Sequence, residues 1–253
     1  MTEAILQVRD IVKTFGGIRA VDRCSLSVQP ETVTGLIGPN GAGKSTLFNI
    51  VAGLYAADEG EVDFLGQRID GLPPYRIVHR GIVKTFQIPR ELRNMTVLEN
   101  LMIAAPGVAG DSLVDLVRRP FEIVAGERET VHRAEEVLGI VGLSHLRDEY
   151  ARNLSGGQKK LLELARALMA GPRLLLLDEP VAGVNPTLAQ KILEVIENLR
   201  RDGLTIFLIE HDMDVVMRRC GWIIVMHQGR TLVEGVPDDI RRDASVIEAY
   251  LGG

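Results

Sequence analysis

Gly38-Pro39-Asn40-Gly41-Ala42-Gly43-Lys44-Ser45-Thr46 decides the reading of this chain. It fits G-x-x-x-x-G-K-[ST], in which glycine lets successive backbone N–H groups turn inward around phosphate oxygens. The context is the one the motif requires. A short apolar run over residues 33–37 reads as a buried strand, and residues 44–52 read as a helix stopped by Gly53. The helix N-terminus adds the positive end of its dipole. Lys44 offers a point charge to the β- and γ-phosphates, and the Ser45 hydroxyl can ligate Mg²⁺.

Outward from the loop, the next signal is Leu174-Leu175-Leu176-Leu177-Asp178-Glu179-Pro180, an apolar strand ending in two carboxylates. Ligands of open α/β sheets sit at the carboxyl ends of strands, so this end can face the phosphate loop. Asp178 is expected to hold Mg²⁺ through water, and Glu179 to polarise the water that attacks the γ-phosphate. A third signal is Leu154-Ser155-Gly156-Gly157-Gln158, with Ser155 a natural N-cap and two glycines that let backbone approach a ligand.

The remaining pattern alternates strands and helices. The first ~35 residues alternate in β fashion. Residues 60–69 read as a hairpin, 74–79 as a short helix, 205–210 and 223–227 as strands, and Gln228-Gly229 as a turn. A helix is expected from Asn185-Pro186, a cap followed by proline in the first turn. The character changes over residues 90–126, and a helical pattern resumes over 127–143. The expected fold class is therefore α/β, with a helical subdomain over 90–160 set into a core of residues 1–89 and 161–253, all one domain.

Composition removes several function classes. The chain has 253 residues and a net charge of −5 with both signs well mixed, which argues against a nucleic-acid partner. Cys24 and Cys220 are far apart in sequence, so a cysteine-based zinc site is not expected and a reduced compartment is. No apolar stretch approaches the ~20 residues of a spanning helix, and the N-terminus lacks the basic end and apolar run of a signal peptide.

GPNGAGKST, LSGGQ and LLLLDEP, in that order, closely resemble the nucleotide-binding subunits of ATP-binding-cassette systems, and the likeness covers essentially the whole chain. The resemblance implies a P-loop NTPase core with a mixed sheet, an N-terminal antiparallel β subdomain and an inserted helical subdomain. It implies ATP and Mg²⁺ as cofactors, with Gly38, Asn40, Gly41, Ala42, Gly43, Lys44, Ser45 and Thr46 on the nucleotide. It implies Phe15 against the adenine, where a Tyr is commoner. It implies catalytic Glu179, with His211 as the switch histidine on the γ-phosphate. It implies metal contacts from Ser45, Gln87 and Asp178, Gln87 belonging to the glutamine loop that links to the transport partner. Ser155, Gly156, Gly157 and Gln158 would cap the ATP of a second, head-to-tail cassette. One departure is Asn185, where many members carry an Asp that helps couple the two sites.

The closer resemblance is to the ATPase subunits of branched-chain amino-acid importers. It rests on TFQIP at 85–89, MTVLENL at 95–101, EPVAGVNP at 179–186, the segment around 105–126, and VIEAYLG at 246–252. This implies a second ATPase subunit, integral-membrane permeases, a periplasmic or extracellular substrate-binding protein, and a peripheral position on the cytoplasmic face of the cell membrane. Urea or amide importers and lipid-export ATPases look alike. A soluble ATPase of iron–sulfur assembly is the alternative from another class, whereas chromosome and repair types would place long coiled-coil arms between the loop and LSGGQ.

Overall fold

A computed structural model describes residues 3–85, 91–106 and 120–251. In chain order its elements are β1 (Leu6–Phe15), β2 (Ile18–Val28), β3 (Val33–Ile37), α1 (Lys44–Val51), β4 (Glu59–Phe64), β5 (Gln67–Arg68), α2 (Pro74–Arg80) and β6 (Ile82–Lys84). Then follow α3 (Val97–Met102), α4 (Pro120–Val141), two short 3₁₀ turns, α5 (Gly156–Met169), β7 (Leu174–Asp178), α6 (Pro186–Arg201) and β8 (Thr205–Ile209). The chain finishes with α7 (Met213–Arg219), β9 (Trp222–His227), β10 (Arg230–Gly235), α8 (Pro237–Arg242) and α9 (Ala244–Leu251). It is an α/β protein, as expected. Internal contacts divide it into one unit of Met1–Lys84, Arg173–Pro180 and Ile196–Gly253, and another of Thr85–Pro172 and Val181–Val195.

The first unit holds two sheets. One has the order β2-β1-β4-β5, paired antiparallel throughout. The other has six strands in the order β10-β9-β3-β8-β7-β6, parallel except for the β9–β10 pair. β3, β7 and β8 are buried along their whole length. That explains why they read as unbroken apolar runs: a parallel strand covered on both faces has no solvent side to alternate toward. Aliphatic side chains fill the core, with Phe48 of α1 against Phe207 of β8 at 4.8 Å between ring centroids. Each such ring, wholly removed from water, contributes about 1.5–3 kcal/mol.

The second unit is helical. Ala134, Val137, Leu138 and Val141 recur at helical spacing on α4, and they are buried together with Val97 and Leu101 of α3 and Leu161, Leu162, Ala165 and Leu168 of α5. Thr96 and Glu99 close a reciprocal capping box at the start of α3. The helical unit given by internal contacts runs from Thr85 to Pro172 and takes in 181–195. α4 begins at Pro120, ahead of the periodic stretch expected from 127. Gln87 and most of the segment 105–126 lie outside the described residues. Among the described residues no helix is long and apolar enough to cross a membrane.

Candidate nucleotide site

Strand order gathers the site. β3, β8 and β7 are parallel neighbours, with Leu36 opposite Ile209 and Asp178 opposite Ile209. Their carboxyl ends therefore present Gly38, His211 and the pair Asp178-Glu179 in one row. Asn40, Gly41, Ala42, Gly43, Lys44, Ser45 and Thr46 line a cleft of about 410 Å³ together with Ile18, Arg19, Ala20, Glu179 and His211. That volume lies within the ordinary range for a small-molecule pocket.

The loop is shaped by what it passes. Gly43 sits at φ 98°, and a Cβ there would lie 2.3 Å from the Ala20 carbonyl oxygen. Backbone of β2 thus runs directly beneath the loop, and only glycine fits. Lys44 is 5% exposed and donates to the carbonyl oxygens of Gly38 at 2.7 Å and Pro39 at 3.0 Å. Burial pushes its ammonium below the ordinary lysine value, while Glu179 and then Asp178 pull it back up.

Glu179 follows β7 directly, with φ at 52°. The left-handed region costs a non-glycine residue about 1–2 kcal/mol. The bend is held by its N–H, which donates to the Ile209 carbonyl at 3.0 Å. It carries the carboxylate to His211, whose Nε2 lies 2.7 Å from Glu179 Oε1. Backbone strain concentrated at a carboxylate beside a phosphate loop is the kind that a functional site retains. Asp178 is buried behind the cleft, next to Lys84, whose side chain is 8% exposed. His79, His132 and His145 are exposed and His227 is half-buried, as expected for histidines outside the site.

Phe15 ends β1 and is 42% exposed, with its ring edge-to-face with Tyr55 at 5.4 Å. It is not a core phenylalanine. The turn Gly16-Gly17 leads from it straight to Ile18 and Arg19, which line the cleft. Arg19 pairs with Asp22 at 2.9 Å, and Arg230 also donates to Asp22. Those two guanidiniums, Arg230 foremost, hold the Asp22 carboxyl below its ordinary value. Sequence reading had no signal for Ile18, Arg19, Tyr55 or Lys84, since each reaches its place through tertiary packing.

In the second unit, Ser155 caps α5 in a reciprocal box with Gln158. The two glycines behave differently. Gly156 is exposed, with nothing within 4 Å of an added Cβ, whereas at Gly157 a Cβ would lie 1.9 Å from Leu188 Cδ2. Gly157 therefore serves close packing, and Gly156 leaves open backbone at the helix start. Asn185 caps α6, its Oδ1 accepting from the Leu188 N–H at 3.0 Å, a task Asn and Asp perform equally.

The donor set suits magnesium. The Ser45 hydroxyl and the Asp178 and Glu179 carboxylates are hard oxygens. Among the described residues no group of three His, Cys, Asp or Glu could cage a metal unaided.

A family model described as ABC transporter matches residues 21–182, and one described as branched-chain amino acid ATP-binding cassette transporter matches residues 230–253. A protein of Archaeoglobus fulgidus named "Probable branched-chain amino acid transport ATP-binding protein LivG" is 44% identical, over 98% of this chain and 95% of its own. The "High-affinity branched-chain amino acid transport ATP-binding protein LivG" of Escherichia coli K12 is 39% identical, over 100% of this chain and 99% of its own. Among solved structures, an ATP-binding cassette of an ABC transporter in its ADP conformation superposes with a TM-score of 0.87 at 41% identity, covering 100% of both chains. A nucleotide-free cassette from an ABC transporter gives the same TM-score and identity over 99% of this chain and 100% of the other.

Proposed function

The chain belongs to the ABC transporter family as an ATP-hydrolysing, ATP-binding subunit, and we propose that it powers the import of branched-chain or related amino acids. What carries the reading is the single cleft in which the phosphate loop, Glu179 and His211 converge. The cargo assignment is supported by the two curated relatives, both named for branched-chain amino acid transport, and by the match over residues 230–253.

In this reading Gly38, Asn40, Gly41, Ala42, Gly43 and Thr46 hold the triphosphate through the loop backbone, and Lys44 leaves the carbonyls of Gly38 and Pro39 for the β- and γ-phosphates. Phe15 offers its ring face to the adenine. Ser45 and, through water, Asp178 would hold Mg²⁺, with Gln87 as a further contact; when bound, the ion neutralises charge on the phosphate oxygens. The Glu179 carboxylate accepts a proton from the attacking water, and His211, whose Nε2 lies 2.7 Å from Glu179 Oε1, turns from that carboxylate to the γ-phosphate once nucleotide is bound. Ser155, Gly156, Gly157 and Gln158 cover the nucleotide of a second ATPase subunit. The γ-phosphate gives the closed pair its extra stability, so hydrolysis reopens it.

The partners proposed are that second subunit, integral-membrane permeases and an external substrate-binding protein, with this chain peripheral on the cytoplasmic face. The test is co-purification from detergent-solubilised membranes followed by reconstitution in vesicles. ATP-dependent leucine accumulation that Glu179→Gln abolishes is the expected result. Recovery of a soluble assembly scaffold in place of permeases, or uptake of urea but not leucine, would refute the cargo assignment.

A further inference from the structure

Three side chains meet behind the cleft that the hydrolytic scheme does not use together. Lys84 ends β6, and its Nζ lies 3.3 Å from Asp178 Oδ2, each side chain 8% exposed. The same Nζ donates to Asn49 Oδ1 at 2.8 Å. Asn49 stands on α1, one helical turn after Ser45 and so on the same face of that helix. β6 pairs in parallel with β7, placing Lys84 opposite Leu176. Leu176 and Asp178 share a face because side chains alternate along a strand, so Lys84 and Asp178 project to one side of the sheet. A buried ion pair is a poor source of stability, because desolvation cancels most of the attraction. Its presence at this one strand end calls for another reason.

We propose that Lys84 is the positioning residue for the metal-side carboxylate: its ammonium fixes Asp178 Oδ2, anchors itself to the phosphate-loop helix through Asn49, and leaves Asp178 Oδ1 to take a water of the magnesium ion. This rests on the reading of Asp178 as the carboxylate that faces the metal. The arrangement ties β7, which carries Asp178, to α1, which carries Ser45, so two of the protein groups expected at the ion are held in register by a residue that never touches it. Partners of this kind orient a ligand and set its metal affinity, and their removal costs about 10–100-fold in that affinity.

The test measures Mn²⁺ bound to the intact protein saturated with adenylyl-imidodiphosphate, from the loss of the free-ion EPR signal. Lys84→Met is expected to weaken Mn²⁺ binding about tenfold. Nucleotide affinity in EDTA should stay within about twofold, and Lys84→Arg should recover most of the metal affinity. A general structural role would instead lower metal-free and metal-dependent binding together. Asp178→Asn is the control. If it weakens Mn²⁺ binding while Lys84→Met leaves it unchanged, the positioning role is overturned. If Asp178→Asn itself changes nothing, the assignment of Asp178 fails instead. Asn49→Ala, which cuts the anchor and keeps the ion pair, serves should Lys84→Met not fold. Weaker Mn²⁺ binding is then expected, and unchanged binding overturns the proposal.

Discussion

Replacing Lys44 by Met separates the binding role of the lysine from its structural one, and the two magnitudes follow from its surroundings. The ammonium makes two hydrogen bonds, to the Gly38 and Pro39 carbonyls, at 5% exposure. Met fills much the same volume and removes a buried charge, while the two carbonyls lose their donor. Leaving buried acceptors without a donor costs about 1–3 kcal/mol, and relief of the buried charge offsets part of it, so stability should fall by about 1–2 kcal/mol. Binding is different. Two hydrogen bonds from an ammonium to phosphate oxygens are together worth about 3–6 kcal/mol. The wild-type lysine gives up its two carbonyl bonds to make them, which offsets about half. The remaining ~1.5–3 kcal/mol corresponds to a roughly 10- to 150-fold loss of ATP affinity. Calorimetric titration with ATP, paired with a thermal melt followed by circular dichroism, reads both quantities. An affinity within threefold of wild type would remove Lys44 from the phosphates. A collapse of the melt alongside the affinity would make its role structural.

The other predictions are briefer. Glu179→Gln should retain ATP binding and lose at least about 100-fold in turnover, the usual contribution of general-base catalysis; rapid phosphate release by the variant would exclude Glu179 as the base. Gly43→Ala should cost at least about 2 kcal/mol in urea unfolding, from the left-handed φ and the Ala20 carbonyl 2.3 Å from the new methyl; an unchanged midpoint would contradict the close backbone approach. Burial, with Glu210 adding to it, pushes the Cys220 thiol up to about 12, and burial also raises Cys24. The thiolate is the reactive form, so neither cysteine should react with a disulfide reagent between pH 7 and about 9 until the chain is unfolded; fast labelling of the native protein would refute this.

The features legible in the sequence are those whose physics is local. A glycine-rich turn between a buried strand and a helix, and an apolar strand ending in two acids, each carry their own signal at residues 38–46 and 174–179. Alternation of strands and helices implies a parallel sheet, but the strand order, with β8 between β3 and β7, is set by tertiary packing. Less legible is whatever depends on a partner distant in the chain. Lys84 and Asn49 look like ordinary polar residues until β6 and α1 bring them to Asp178. Gly156 and Gly157 are identical letters, and only the Leu188 side chain against the second tells them apart. The left-handed turn at Glu179 left no trace, since nothing in its residue type favours φ of 52°. The short helices α7, α8 and α9 are too brief for apolar periodicity to stand out.

One structure would test the central claim most directly: that of the Glu179→Gln variant, with its partner ATPase subunit, solved in the presence of MgATP. The account requires the triphosphate wrapped by residues 38–46 and covered by a Ser155-to-Gln158 segment belonging to the other subunit. A triphosphate left open to solvent on that side in a fully ATP-loaded assembly, or one seated anywhere else, would contradict it.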